Sequence, residues 1–334
     1  MSNPFDVLAL GNAIVDVLAP VDDSFLVAHG LRKGGMQLVD EARALALYDA
    51  MGATTIVSGG SAANTVAGLA SFGAKAAFLG KVRDDEAGHA FTHDIRAMGV
   101  HFPTPAAIEG PSTARCLVLV TPDGQRTMNT YLGACQNLTV GDLDAVAIKG
   151  AQVLYLEGYL WDPPHAKQAF VEAAAIAHGA GRQVALTLSD TFCVDRYRDE
   201  FLELIRQGVV DIVFANESEL HALYQTADFD AAVAALRGEK VLAAVTRSEK
   251  GACILRGGKM HSVPAAPIEK LVDTTGAGDL FAAGFLAGYT RGLALDHCAR
   301  LGALAAAEII QHFGARPEVN LAELAAQSGY VHAL

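Results

Sequence analysis

Apolar and polar positions alternate regularly in the second half of the chain. Short apolar runs occupy residues 153–156, 183–188, 211–214 and 241–246, and helical patterns near 165–179, 198–207, 217–224 and 229–237 separate them. Strands alternating with helices in this way are typical of a doubly wound, mostly parallel sheet with helices on both faces. The pattern therefore predicts an α/β fold with ligands at the carboxyl ends of the strands.

The first half of the chain adds strands of a second kind. Residues 5–10 and 76–80 are predicted as further buried strands, whereas 13–40 and 111–131 resemble antiparallel pieces, the latter around a turn at 122–125. We expect a small β-sheet lid built from about 12–40 and 101–131. Repeats, long linkers and low-complexity segments are not visible, so residues 1–334 are predicted to form a single unit.

Composition narrows the classes of partner. With 51% hydrophobic and 19% charged residues, the chain can bury a large core, and its net charge of −12 argues against nucleic acid and anionic membranes as partners. Apolar runs are too short to span a bilayer, and a signal peptide is not evident. The five cysteines lack Cys-x-x-Cys spacing, so we expect reduced thiols in a cytoplasmic protein.

Residues 273–285 are the most informative stretch of the sequence. A predicted strand at 270–272 leads into Gly276, Ala277 and Gly278, and an apolar helix is predicted from about 280 to 289. Bare N–H groups at a helix N-terminus favour a phosphate or an oxyanion, and we expect them to keep Asp279 ionised. A carboxylate beside such a cradle suits phosphoryl transfer to a hydroxyl, although an Asp here can also be an ordinary N-cap. The stretch is not a P-loop, because no Gly-Lys-Ser/Thr follows the glycines.

Two early positions have polar groups that could face a ligand. Asp16 lies within an apolar strand, where a carboxylate is costly unless it meets a partner or a pocket. Gly59 and Gly60 would let the backbone approach a ligand, and Asn64 could bond a hydroxyl one helical turn later. The alternatives are a salt bridge or a turn for Asp16 and a simple glycine turn for the pair.

Three later strand ends carry further candidates. Asn216 and Glu219 stand one turn apart at a predicted helix start, where they could also form an N-cap with an acidic first turn. Residues 245–251 are either a nucleotide-contacting turn or a hairpin. Tyr159 follows a strand and could stack on a base or pack in the core.

The order of these stretches resembles the ribokinase-like (PfkB-type) carbohydrate and nucleoside kinases over essentially the whole chain. Gly59-Gly60-Ser-Ala-Ala-Asn64 and Asp273-Thr-Thr-Gly-Ala-Gly-Asp279 match the two signature regions of that family. Gly11-Asn12-Ala-Ile14-Val-Asp16 and the strand from Arg126 are most similar to its adenosine kinase branch, and Asn216-Glu-Ser-Glu219 resembles the family's Asn-x-x-Glu pattern.

The resemblance implies a role for each matching position. Asp279 would take the proton of the acceptor hydroxyl. Gly276, Ala277 and Gly278 would form the anion hole for the γ-phosphoryl group that is transferred, and Arg126 would close over the phosphates. The implied acceptor site comprises Asn12, Ile14, Asp16, Gly59, Gly60, Asn64 and Tyr159, with Ile14 and Tyr159 flanking a base. The implied ATP site comprises Asn216, Thr246, Arg247, Gly251 and Thr275, with Glu219 assisting Mg²⁺ indirectly through Asn216.

The resemblance therefore implies an ATP- and Mg²⁺-dependent kinase acting on a primary hydroxyl, most simply the 5′-hydroxyl of adenosine in purine salvage. Thr275 and Ser61-Ala62-Ala63 differ from many adenosine kinases, so ribose, fructose and 2-keto-3-deoxygluconate are alternative acceptors. A non-catalytic nucleoside-binding protein and a nicotinamide-dependent oxidoreductase are further alternatives, the latter lacking a Gly-x-Gly-x-x-Gly turn. A monovalent cation is a candidate activator, and both a monomer and a homodimer are compatible with a lid.

Overall fold

A computed structural model of the protein describes residues 4–330. Residues 1–3 and 331–334, the two ends of the predicted single unit, lie outside this described part. The strands are β1 (Phe5–Leu10), β2 (Ile14–Pro20), β3 (Met36–Leu38), β4 (Thr55–Gly59), β5 (Ala76–Leu79), β6 (Ala114–Val120), β7 (Arg126–Tyr131), β8 (Ala151–Glu157), β9 (Gln183–Thr187), β10 (Ile212–Asn216), β11 (Leu242–Thr246), β12 (Ala252–Arg256) and β13 (Lys259–Val263).

Helices alternate with these strands along the chain. They are α1 (Asp23–Ala28), α2 (Glu41–Ala50), α3 (Ser61–Ser71), α4 (Glu86–Ala97), α5 (Ala145–Gly150), α6 (Pro164–Gly179), α7 (Thr191–Arg206), α8 (Glu217–Tyr224), α9 (Phe229–Gly238), α10 (Ala277–Tyr289), α11 (Leu295–Ile309) and α12 (Leu321–Gln327). Within residues 4–330, no helix is both long enough and apolar enough to cross a membrane.

The main sheet confirms the predicted doubly wound fold. Its strand order is β13-β12-β11-β10-β9-β8-β1-β5. The six strands β11, β10, β9, β8, β1 and β5 are parallel to one another, and β12 and β13 are added antiparallel at one edge. One apolar cluster packs α3, α4, α10, α11 and α12 on one face, and a second packs α5 to α9 on the other. The strand order reverses between β1 and β8, which is where such sheets bind ligands.

The remaining strands form a second, smaller sheet in the order β3-β7-β6-β2-β4. β6 and β7 form the predicted hairpin, closed by the Thr121 N–H donating to the Gln125 carbonyl at 3.0 Å. The predicted ranges for this sheet were wrong in two respects. Thr55–Gly59 belongs to it, paired with β2, and residues 101–113 form no strand of it, since their isolated bridges join Ala77 of β5 and Arg83 instead.

The entry into α10 also differs from the prediction. Residues 270–272 do not form a strand; the N–H groups of Val272 and Asp273 donate instead to the Ile310 carbonyl at the end of α11. The helix begins at Ala277 and not near residue 280, because Gly276 turns the chain directly into it.

The helix α7 begins earlier than expected as well. It starts at Thr191 and not near residue 198, and Asp190 caps it by accepting the Cys193 N–H at 2.6 Å. A local departure from helical angles at Tyr197 interrupts the pattern that the sequence shows. The apolar periodicity is therefore clear only in the second part of this helix.

Candidate active site

The candidate phosphate site is the turn into α10. Gly276 precedes the helix with φ of 81°, and a Cβ at this position would lie 2.8 Å from the Cβ of Ala315. Glycine suits this place because the angle is left-handed and the space is already filled. The segment after α11 thus packs directly against the beginning of α10.

The first N–H groups of α10 are available to a ligand. The Ala277 N–H donates to the Thr274 carbonyl at 3.2 Å, while the N–H groups of Gly278 and Asp279 have no backbone acceptor within residues 4–330. Unpaired N–H groups at a helix N-terminus favour an anion. Of the expected trio, Gly276 and Gly278 thus have N–H groups without an acceptor in the described part of the chain, Ala277 does not, and Asp279 adds a further free donor.

Asp279 lies in the first turn of α10 and faces α3. Its Oδ1 accepts from the Ser61 hydroxyl at 2.6 Å, and its Oδ2 accepts from Asn64 Nδ2 at 3.0 Å. It does not cap its own helix, since Gly276 holds that position. Ser61 was missed by sequence reasoning, because a serine beside two glycines gives no sign that it will meet a residue of α10.

The pKa of Asp279 is raised, whereas the helix N–H groups were expected to favour its charged form. Burial raises the pKa of this carboxyl, and the hydrogen bonds from Ser61 and Asn64 and the charge of Arg316 only partly oppose that effect. The helix N–H groups that were expected to hold the carboxylate ionised do not donate to it. A carboxylate with a raised pKa is a stronger base, which suits proton abstraction from a hydroxyl.

Asp16 lies on β2 where the second sheet approaches α3 and α10. A Cβ at Gly59, on the neighbouring strand β4, would come within 2.5 Å of Asp16 Oδ2. Glycine at that position therefore leaves room for the carboxylate. Burial raises the pKa of Asp16 to about 6, with Arg316 and Arg126 acting in the opposite direction.

The carboxylate of Asp16 forms no hydrogen bond or ion pair with the residues that the structure describes. The alternative of a structural salt bridge is therefore not what the described contacts show. Ile14 lies opposite Gly59 on the same strand pair, and Gly60, with φ of 95°, turns the chain from β4 into α3. The structure thus brings Ile14, Asp16, Gly59 and Gly60 together.

Asn12 is held by a buried glutamate that sequence reasoning missed. Asn12 Nδ2 donates to Glu157 Oε1 at 2.8 Å, and the Ala62 N–H donates to Glu157 Oε2 at 2.9 Å. Glu157 ends β8, is 1% exposed, and has a pKa that burial raises to about 7. It therefore joins the end of β1 to the start of α3 at the point where the strand order reverses.

Arg126 connects the second sheet to the turn before α10. Its Nη2 lies 2.6 Å from Asp273 Oδ2, and its Nη1 donates to the Thr275 hydroxyl at 3.3 Å. Asp273 also accepts from the N–H and hydroxyl of Thr275 and from the Gly314 N–H. Thr275, expected at the ATP site, is thus oriented by Asp273 and Arg126.

Asn216 and Glu219 form the capping box that was the structural alternative for them. Asn216 Nδ2 donates to Glu219 Oε1 at 2.6 Å, and the Glu219 N–H donates to Asn216 Oδ1 at 2.8 Å. Burial raises the pKa of Glu219 to about 7, and the negative charges of Asp190 and Asp279 add to this. Within residues 4–330, no group of three or more histidine, cysteine or acidic side chains could hold a metal by itself.

Thr246, Arg247 and Gly251 lie at the hairpin between β11 and β12. Thr246 ends β11, and the Arg247 N–H donates to the Gly251 carbonyl at 2.8 Å. Arg247 donates to Glu217 at 3.0 Å, and its guanidinium lies 3.5 Å from the centre of the Phe229 ring. The hairpin alternative is therefore observed, at the same edge of the sheet as Asn216.

Tyr159 lies in the turn after β8 and is hydrogen-bonded to the turn that follows the next strand, β9. Its hydroxyl donates to Asp190 Oδ2 at 3.1 Å, and its N–H donates to the Ser189 hydroxyl at 3.2 Å. Tyr159 and Ile14 pack against different apolar clusters. Their pairing around a base remains a prediction.

These observations define the class of protein. The fold is a doubly wound sheet, and a carboxylate and free N–H groups lie together at the start of one of its helices. The whole fold also matches solved kinases. The protein is therefore an ATP-dependent kinase of the ribokinase-like fold. The chain belongs to the pfkB family of carbohydrate kinases, whose family model matches residues 40–321.

Individual relatives cover nearly the whole chain. The solved structure of adenosine kinase from Sinorhizobium meliloti is 55% identical, covers 97% of this chain and 99% of its own, and superimposes with a TM-score of 0.92. A probable sugar kinase from Rhizobium etli is 53% identical, with coverages of 98% and 99% and a TM-score of 0.93. Adenosine kinase 2 of Arabidopsis thaliana is 25% identical over 94% of this chain and 97% of its own length.

Proposed function

We propose that this protein transfers the γ-phosphoryl group of ATP to the 5′-hydroxyl of adenosine, giving AMP and ADP. The observation that carries the transfer chemistry is Asp279, held by Ser61 and Asn64 beside the free N–H groups of α10. The adenosine kinase from Sinorhizobium meliloti supports adenosine as the acceptor, since it is similar over nearly the full length of both chains.

In the proposed step, Asp279 accepts the proton of the 5′-hydroxyl while the oxygen of that hydroxyl forms a bond to the γ-phosphorus. The bond from that phosphorus to the bridging oxygen of ADP breaks on the opposite side. The N–H groups of Gly278 and Asp279 stabilise the charge on the transferred group, as fixed dipoles do in a site closed to water. Arg126, which already reaches the turn from the second sheet, adds positive charge there.

Mg²⁺ would arrive with the phosphates of ATP and supply charge stabilisation to them. Glu219 fits an indirect role, because Asn216 already bonds both of its oxygens while Asp190 and Asp279 crowd it with like charge. A nearby cation would relieve that repulsion. A monovalent cation remains a further candidate.

A sugar acceptor is the second candidate function. The probable sugar kinase from Rhizobium etli is 53% identical over almost the same length, and Ser61-Ala62-Ala63 resembles many sugar kinases. Ribose, fructose and 2-keto-3-deoxygluconate would use the same base and anion hole. A non-catalytic nucleoside-binding protein would need neither the base nor the anion hole.

With adenosine as acceptor, the protein would serve purine salvage in the cytoplasm, as a monomer or a homodimer.

The experiment is ADP formation from ATP and Mg²⁺ with adenosine, inosine, guanosine, ribose, fructose and 2-keto-3-deoxygluconate in turn. A reaction without acceptor gives the background of ATP hydrolysis. Turnover with adenosine and little with the sugars is the expected result. Turnover with a sugar alone would replace the acceptor and keep the chemistry, whereas no turnover with any acceptor would contradict the proposal.

A further inference from the structure

An arginine that sequence reasoning did not single out lies among the candidate site residues. Arg316 follows Ala315, which packs against Gly276 at the beginning of α10. Arg316 Nη1 donates to the Ala63 carbonyl at 3.1 Å, in the first turn of α3. The side chain therefore joins the two helix starts that supply Asp279 and its partners Ser61 and Asn64.

Most of the donors of Arg316 have no acceptor. Its Nε and Nη2 are enclosed yet have no hydrogen-bond partner in the described part of the chain, and no carboxylate there lies within ion-pair distance. Unpaired buried donors are rare and cost about 1–3 kcal/mol each, so they usually mark the place of a ligand or a water. An arginine placed only to brace α3 would not need them.

Acceptors without donors lie at the same place. Asn64 Oδ1 is buried and has no partner within residues 4–330, and the Asp16 carboxylate bonds none of the described residues. Asp16 is also the charge that acts most strongly on Arg316, followed by Asp279. Guanidinium can only donate, while a carboxylate and an amide oxygen can only accept. A group that satisfies both sides must donate and accept, and a hydroxyl does so.

We propose that Arg316 is a specificity-determining residue that donates a hydrogen bond to a ribose hydroxyl of the acceptor, whose own proton is directed to Asp16 or Asn64. This inference rests on the proposed function, because it needs an acceptor with vicinal hydroxyls. It makes the 2′- or 3′-hydroxyl a requirement for tight binding and selects against deoxynucleosides.

The test compares Arg316→Met and Arg316→Lys with the unaltered protein, using adenosine, 2′-deoxyadenosine and 3′-deoxyadenosine. With adenosine, Arg316→Met should raise the acceptor KM about 10- to 100-fold, the effect of losing a hydrogen bond to a charged group, and leave the KM for ATP unchanged. With the analogue that lacks the bonded hydroxyl, the variant and the unaltered protein should have the same kcat/KM within about threefold. Arg316→Lys, which keeps the charge and one donor, should recover part of the loss and serves if the Met variant does not fold.

Arg291→Met is the matched control, since Arg291 is a partly buried arginine just after the end of α10 that bonds the Ala287 carbonyl of α10 and the Phe72 carbonyl at the end of α3. It should change no KM. Equal losses with all three acceptors would show that Arg316 acts only through α3, and unchanged KM values would remove it from the site. If adenosine is not phosphorylated by the unaltered protein, the proposed function fails separately, and the same comparison with the best sugar and its deoxy analogues decides the role of Arg316.

Discussion

At the scale of single residues, the site depends on carboxylates held away from water. Asp279, Asp16 and Glu157 all have raised pKa values because burial penalises their charged forms. Each faces donors or a nearby arginine that limit this penalty. The pKa values of about 6 for Asp16 and about 7 for Glu157 lie well above those of exposed carboxylates, and the raised pKa of Asp279 makes it a stronger base.

Replacing the proposed base should separate binding from chemistry. Asp279→Asn keeps an oxygen that can accept from Ser61 but cannot take a proton, so we expect kcat to fall about 10²- to 10⁴-fold with little change in the acceptor KM. Steady-state kinetics and calorimetric titration with adenosine would measure the two effects. Asp230→Asn, at an exposed aspartate in the first turn of α9, is the control and should have normal kinetics. Near-normal turnover of Asp279→Asn would rule out its role as the base.

The sequence predicted Asp279, Asp16 and Asn64, because each belongs to a local stretch with glycines or an unusual charge. It could not predict Glu157 or Arg316. Glu157 bonds a residue 145 positions away, and Arg316 bonds one 253 positions away. A glutamate at the end of an apolar strand and an arginine before a proline have no local pattern that specifies such partners.

At the scale of elements, the start of α10 matters most. The sequence predicted the helix three residues late, because it treated the glycines as a loop before the helix and not as its first turn. The left-handed angle at Gly276 lets the helix begin at once, so that free N–H groups and Asp279 share one turn.

Gly276→Ala should therefore damage both stability and activity. A left-handed alanine costs about 1–2 kcal/mol, and its Cβ would also collide with Ala315, adding about 1–3 kcal/mol. Gly292→Ala is the matched control, since Gly292 has φ of 76° and open space around the added Cβ. Gly292→Ala should lose only the stability that the left-handed backbone angle costs, about 1–2 kcal/mol.

Denaturant unfolding would measure both changes, and kcat would show the functional one. We expect kcat of Gly276→Ala to fall at least about tenfold because the N–H groups move away from the phosphoryl group. Equal stability losses in the two variants, with normal turnover, would show that the contact with Ala315 has no importance.

At the scale of the whole molecule, alternation of strands and helices was sufficient to predict the main sheet. It was not sufficient to assign Thr55–Gly59 to the second sheet. Period-two alternation shows that a segment is a strand, but the choice between two sheets depends on long-range pairing that the segment does not encode.

The buried carboxylates should also give the ligand-free protein an unusual pH dependence. Glu157 and Glu219 have pKa values raised to about 7 and Asp16 to about 6, so the folded state binds protons more tightly than the unfolded state. Their contribution to stability is complete below their unfolded pKa values near 4 and is lost as the pH rises through 6 to 7. For Glu157 this loss is about 3 kcal/mol.

We therefore expect the melting temperature of the ligand-free protein to fall between pH 5.5 and pH 8, and Glu157→Gln to reduce that slope whatever its effect on the absolute value. Glu323→Gln, at an exposed position in the first turn of α12, is the control and should keep the slope. Thermal unfolding followed by circular dichroism would measure it. A slope that is unchanged in Glu157→Gln would contradict the raised pKa of Glu157.

The connections between the two sheets have a mechanical consequence. Two of these connections, residues 11–13 between β1 and β2 and Gly60 between β4 and α3, are short, so they are suited to act as pivots for a swing of the smaller sheet. Asn12, Asp16 and Gly59 lie at or beside those pivots. With the acceptor bound at these residues as proposed, opening and closing would not leave its pocket undisturbed: the nucleoside or sugar would lie within the joint itself, and its presence and the angle of the joint would determine one another.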